Sequence, residues 1–359
     1  MRLLCFLLLR LAHVATAAAT SYQVGQFSVS VSTDASSSSI AVFHDDLGVT
    51  VLETSGAAWL AAGSGTLQRP PVSKSGGFTL KEEITARTDS LTVQAVDCSG
   101  GEGSSCDALV VSGSLTGGGV SSDAIAFNFT LTTTEAATQN QLRFFAAIAT
   151  TTTSINRLFF THASAAEEQV LGFGTQYSAW NLKGRYVPIL TTEQGIGRGL
   201  QPITAALNLL SDGAGGDWHT TYSPLPVYLT PFSGRALALE NTEYVAFDLK
   251  SRDDSIDVEA WASTLTGHVM AFDAGSPLDA VTEITAVTGR MAPLPEWVQK
   301  GAVVGLEGGT VAVQNLTSKV LAAGVPLVAV WVQDWSGLNH GPDGDRVSQF
   351  LFSSRDGSY

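Results

Sequence analysis

Residues 294–337 restrict the fold more than any other stretch, because there a series of short alternating runs gives way to one strand, helix, strand pattern. Residues 301–306 are almost wholly apolar, with Val303 beside Val304, which predicts a strand buried on both faces of a parallel sheet. Gly308 and Gly309 make a turn and Thr310 is placed to cap a helix. Val313, Leu316, Val320 and Leu321 then recur at helical spacing until Gly324 and Pro326 stop it. A second buried strand is predicted over residues 327–332. Parallel neighbours need a right-handed crossover and seed a larger sheet, so two such strands imply further ones.

Before this unit the chain repeats one theme, four to eight residues alternating apolar with polar and then a turn. Val24, Phe27, Val29 and Val31 open it. Runs follow at 40–43, 91–96, 109–115, 125–131, 142–148, 227–229, 244–249 and 256–261. Strands at this spacing, with Gly, Ser and Asp between them, predict an antiparallel sandwich. Charged residues make up only 14% of the chain, which fits strands and turns better than helices. Ser276, Pro277, Asp279 and Gly289 mark a short connecting helix, and residues 290–295 read as a linker with two prolines. The expected organisation is a leader at 1–19, a sandwich at 20–275, a connection at 276–295 and the start of a second domain at 296–359.

Residues 1–20 combine Arg2, an apolar run and small residues around Ala15, Ala17, Ala18 and Ala19, the pattern of a secretory signal peptide, so a secreted or lumenal location is expected. The apolar run is too short to span a bilayer, and no later stretch is long enough either. Without Cys5 the mature chain retains Cys98 and Cys106, on a Gly- and Ser-rich loop that can bring them into bridging range. A local disulfide is the favoured reading and two free thiols the alternative. Asn128 and Asn315 stand in N-glycosylation sequons. A net charge of −14 argues against nucleic acid or an anionic membrane as partner. His162, His219, His268 and His340 share no metal-ligand spacing, so a metal site among them is not expected. Gly172 and Gly174 lack the rest of a dinucleotide fingerprint.

Gln333, Asp334 and Trp335 follow the second predicted strand at its C-terminal end, where barrel folds gather their active sites. The segments PEW, GLEGGT, AGVP and VWVQDWSG, in that order, together with the upstream EQGIGR of residues 193–198, resemble family thirty-one of the glycoside hydrolases in its sulfoquinovosidase branch. The resemblance runs from about residue 170 to the end. It implies a mainly β chain: a galactose-mutarotase-like sandwich, then the first βαβ unit of a truncated (β/α)8 TIM barrel. It also implies a retaining α-glycosidase that needs no metal or organic cofactor and whose nucleophile and acid are Asp residues on later barrel strands, so no catalytic residue is assigned here.

What the resemblance carries over is sugar recognition, by Glu193 and Arg198 of the loop, Glu307, Gln333, Asp334, Trp335 and Arg346. Gln349 stands where the family has a Trp. An amide at Gln333 both donates to and accepts from sugar hydroxyls without adding charge, which suits an anionic sugar. Other readings stay open. Arg346 has Asp343 and Asp345 beside it as ion-pair partners, Glu193 and Arg198 could pair to fix their loop, and Trp335 could pack at a barrel rim. The expected partner is a carbohydrate, an α-glycoside such as a sulfoquinovoside. The expected function is glycoside hydrolysis, with this chain an inactive N-terminal portion; the alternative is a non-catalytic carbohydrate-binding remnant.

Overall fold

The computed structural model describes residues 19–34, 37–68, 80–100, 105–133, 139–149, 154–192, 194–210, 214–332, 339–340 and 346–347. The predicted leader therefore lies outside the described residues. Those from 19 to 194 and from 217 to 289 form one compact unit; residues 195–210, 214–216 and those from 290 onward form a second.

The first unit is built from three sheets, of five, eight and six strands. Every pairing within them is antiparallel except the short parallel contact of Gln23 with Ser105 and Val24 with Cys106. Alternation explains most of it. In the strand Ile125–Thr133, Ile125, Phe127, Phe129 and Leu131 are buried, while Ala126 and Asn128 face solvent. Phe129 and Phe144 of the eight-stranded sheet stack on Phe160 of the six-stranded sheet, with Trp59 edge-on to Phe127, Phe129 and Phe160. Each such ring removes enough apolar surface to contribute about 2–3 kcal/mol. The five-stranded sheet adds Phe27, Val29, Val31, Ile40 and Val42 to the same core. Cys98 and Cys106 are joined, with their Cα atoms 5.2 Å apart.

The eight-stranded sheet is covered on its other face by the helix Pro277–Thr288. Ala280 packs there against Ala236, Ala238, Met270 and Phe272, where small side chains let the helix approach. Glu283 anchors it by accepting from Asn140 and Gln141. Ser276 occupies the N-cap position but makes no side-chain cap bond.

The six-stranded sheet runs, edge to edge, Tyr186–Ile189, Val245–Asp248, Ser255–Ala260, Arg157–Ala163, Leu60–Gln68, Lys81–Arg87. Five inter-strand gaps span about 24 Å in a flat sheet. Yet the Tyr186 hydroxyl, from one edge strand, donates to Glu82 on the other at 3.0 Å. The sheet is therefore strongly curled, and the face away from the core is its concave side. Curling explains why Arg157, on that face, is fully buried. Gly65 makes room for it, since a Cβ there would lie 2.8 Å from the Arg157 guanidinium.

The second unit contains the βαβ pattern. Ala302–Leu306 and Leu327–Val332 pair in parallel, joined by the helix Gly309–Ala322. Two details differ from expectation. Gly308, in the left-handed region at φ 104°, is the N-cap, so Thr310 lies inside the helix. Neither strand is buried on both faces: Val303 and Trp331 are exposed, because the sheet has only these two strands among the described residues.

Candidate functional site

Two groups of residues bear on function, and each is built within its own unit. In the first unit, residues 175–185, 190–192, 194 and 217–223 form a loop cluster beyond the strand Leu171–Gly174. Phe173 is fully buried at φ 61° between Gly172 and Gly174, both also at positive φ. Gly174 has the Ser223 carbonyl so close that a Cβ would meet it at 2.1 Å, which ties the two loops together. The Thr192 amide donates to the Thr221 carbonyl, Thr220 donates to the Gln194 carbonyl, and Ser178 donates to the Trp218 carbonyl at 2.7 Å. Arg185 lies over the Trp218 ring at 4.7 Å. This frame presents Tyr177, Trp180 and Tyr222 to solvent, Trp180 at 80% exposure. Gln194 Nε2 donates to the Tyr177 hydroxyl at 3.3 Å. Exposed rings beside an amide suit a sugar, whose C–H faces stack on aromatics while its hydroxyls bond to polar groups. The expected site residues do not include these rings. Their signal was the aromatic pair in GFGTQYSAW, within the same motif-bearing segment.

In the second unit the loop continues through Gly195, Ile196, Gly197 and Arg198. The Ile196 amide donates to the Ala214 carbonyl at 3.0 Å and the Arg198 amide to the Gly215 carbonyl at 2.8 Å. Gly195, at φ 69°, abuts Gly216: a Cβ would lie 2.3 Å from its backbone. Gly197 abuts Thr204 in the same way, at 2.4–2.7 Å. The glycines of EQGIGR are therefore required by close backbone approach. They hold Arg198 in the left-handed region at φ 48°, a conformation that a non-glycine residue adopts at a cost. Glu307 is exposed at the C-terminal end of Ala302–Leu306, immediately before Gly308.

Of the other predicted residues, Glu193, Gln333, Asp334 and Trp335 lie outside the described residues, as does Gln349. Arg346 is described only as backbone, in the short strand Arg346–Val347 paired with Asn339–His340. Asn128 and Asn315 both have exposed side chains. Among the described residues no group of three His, Cys, Asp or Glu is placed to hold a metal ion, and no helix is long and apolar enough to cross a membrane.

Elsewhere in the first unit a polar cavity of about 470 Å3 is lined by Arg87, Asp248, Arg252 and Asp257 among others. Arg87 is already engaged there, paired with Asp257 and laid over Phe159. None of the predicted site residues lines it.

No family model matches the chain. Two curated relatives do. A sulfoquinovosidase of Escherichia coli is 30% identical over 192 residues, 54% of this chain and 28% of the relative. A sulfoquinovosidase of Agrobacterium fabrum is 33% identical over 194 residues, again 54% of this chain and 28% of the relative. The chain resembles the N-terminal portion of a family thirty-one sulfoquinovosidase. Among solved structures, a sulfoquinovosidase of that family from E. rectale, in complex with an aza-sugar inhibitor, superposes with a TM-score of 0.67 at 24% identity. That match covers 88% of this chain and 42% of the other, and establishes the fold. The sulfoquinovosidase-like chain is thus mainly β, with antiparallel sheets followed by one βαβ unit. It matches little more than a quarter of the length of the curated relatives.

Proposed function

We propose that this chain is part of a retaining α-glycosidase that hydrolyses sulfoquinovosides. The observation that carries the reading is the 30–33% identity to two sulfoquinovosidases over half the chain. In the whole protein, by analogy with the family, one Asp would attack the anomeric carbon and a second would protonate the departing oxygen. Neither is assigned within this chain, whose share would be recognition. Arg198 and Arg346 offer planar, permanently charged forks suited to a sulfonate. In the second unit Gln333 and Glu307 would accept from and position sugar hydroxyls, with Asp334 and Trp335 next to Gln333 in sequence, and Glu193 would serve from its own loop. The reading includes entry to the secretory pathway, removal of residues 1–19, and glycan at the exposed Asn128 and Asn315.

The test compares sulfoquinovosides with the matching glucosides, using the whole protein and its Arg346→Ala variant. Hydrolysis of the sulfoquinovoside should fall on the order of a hundredfold while glucoside turnover changes little, as expected when a charge-assisted contact of about 3 kcal/mol is lost. Equal loss on both substrates would remove the sulfonate assignment.

A second reading rests on the exposed Tyr177, Trp180 and Tyr222: the first unit binds carbohydrate without cleaving it. Sugar binding by this chain together with no hydrolysis by the whole protein would favour it.

A further inference from the structure

The concave face of the six-stranded sheet carries a cluster of ionisable groups that recognition of a glycoside does not use. Arg157, on the strand Arg157–Ala163, is fully buried and lies 2.8 Å from Glu259 and 4.0 Å from Glu82. Its guanidinium stacks on Trp261. The Nε–H does not point at the Glu259 oxygen, so the pair is close without being an aligned hydrogen bond. Glu82 accepts at both oxygens, from Trp261 Nε1 at 2.9 Å and from the Tyr186 hydroxyl at 3.0 Å. Glu82 and Glu259 are thus two carboxyl groups set against one fully buried guanidinium, so the cluster holds one cation for two acids.

We propose that Glu259, set with Glu82 around the one cation Arg157, holds a proton in the folded chain, and that loss of this proton releases the tie joining the two edges of the six-stranded sheet. With the proton in place, the pair carries a single negative charge, matched by Arg157. Without it, two negative charges in contact face one cation, and like charges at this range repel strongly where water is excluded.

The other groups around the pair do not supply the missing charge. Asp257, on the same strand as Glu259, is neutralised by Arg87. Tyr186, on one edge strand, and Tyr244, beside Trp261, are held as neutral phenols, because burial raises both well above the usual phenol range. Arg157 is lowered by burial, although Glu259 and Glu82 favour its charged form. Glu259 itself is pushed up to about 8, first by burial and then by the hydrogen bond and charge of Glu82.

The mechanical consequence follows from topology. Among the described residues Lys81–Arg87 and Tyr186–Ile189 are edge strands, each paired on one side only, so neither has a second ladder there to hold it. Glu82 is the common acceptor that joins them across the concave face. When Glu82 is driven from Glu259, Tyr186 loses its partner. Tyr186–Ile189 leads within a few residues into Thr191, Thr192 and Gln194, so the same proton steadies the entry to the loop that carries the EQGIGR residues.

The experiment is amide hydrogen exchange on the full chain from about pH 6 to about pH 9.5, corrected for the intrinsic pH dependence of exchange. Protection in the two edge strands should fall roughly tenfold, with a midpoint near pH 8, while Ser255–Ala260 in the interior stays protected. In Glu259→Gln, which keeps a donor toward Glu82 and cannot ionise, the transition should vanish. Flat protection in the wild-type chain, or an unchanged midpoint in Glu259→Gln, overturns the proposal. If that variant does not fold, Tyr186→Phe decides: its Tyr186–Ile189 strand should already exchange fast at pH 6, and full protection there overturns the proposal instead.

Discussion

The Tyr228 hydroxyl donates a 2.9 Å hydrogen bond to Nε2 of His162, and both side chains are buried. That bond requires Nε2 to be unprotonated, which leaves Nδ1 to carry the proton toward the Ala163 carbonyl at 3.3 Å. Burial first, then the charge of Arg235, lowers the imidazole to about 3.

Because the folded histidine resists a proton that the unfolded one accepts, stability is complete above the ordinary imidazole value and is lost as pH falls from about 6.5 toward 3. The expected loss is on the order of a few kcal/mol. His162→Gln should be less stable than the wild type at pH 7, and the gap should narrow at pH 4. Urea midpoints at the two values measure it; a gap that stays constant would contradict a neutral His162.

Arg235 and Glu168 form a buried pair at 2.7 Å, and Glu168 also accepts from Ser164 and Ser233. Burial raises the Glu168 carboxyl, but the charge and hydrogen bonds of Arg235 together with the hydrogen bonds from Ser164 and Ser233 more than offset it, and the net shift is downward. Glu168→Leu strands a buried cation and should cost about 3–5 kcal/mol, whereas Glu168→Leu combined with Arg235→Met should cost less than the two single changes together. Thermal unfolding of the four proteins closes the cycle. Simple additivity would show that the two groups do not act as a pair.

Gly195→Ala places a Cβ against the Gly216 backbone at a positive φ. The loop must shift, at roughly 1–3 kcal/mol of local strain. The expected outcome is faster proteolytic nicking near residues 194–200, with little change in the unfolding midpoint of the sheets. Unchanged nicking would mean that the close approach is not needed.

Trp180 is exposed, so Trp180→Ala should leave stability within about 0.5 kcal/mol. If the aromatic rim holds sugar, affinity for a glycoside should fall about tenfold, as calorimetry would read it. No change in affinity would remove the rim from the binding surface.

Much of the architecture was legible along the chain. Alternation in Ile125–Thr133 and Gln141–Ile148 placed Phe127, Phe129 and Phe144 in the core, and the glycines after Leu306 marked the turn into the helix Gly309–Ala322. Strands without alternation left no such trace. Arg157–Ala163 is buried at nearly every position because both of its faces are covered, and Lys81–Arg87 is charged along most of its length.

The sequence by itself determined which segments become strands wherever one face meets solvent and the other the core, because a two-residue period records that difference directly. It also marked the glycine turn at Gly308 and Gly309 that leads into the helix Gly309–Ala322. Tertiary structure alone decided that Glu82 and Tyr186, 104 residues apart, meet. Their contact depends on strand order and on the curl of the whole sheet, and neither leaves a periodic mark on the residues that make it.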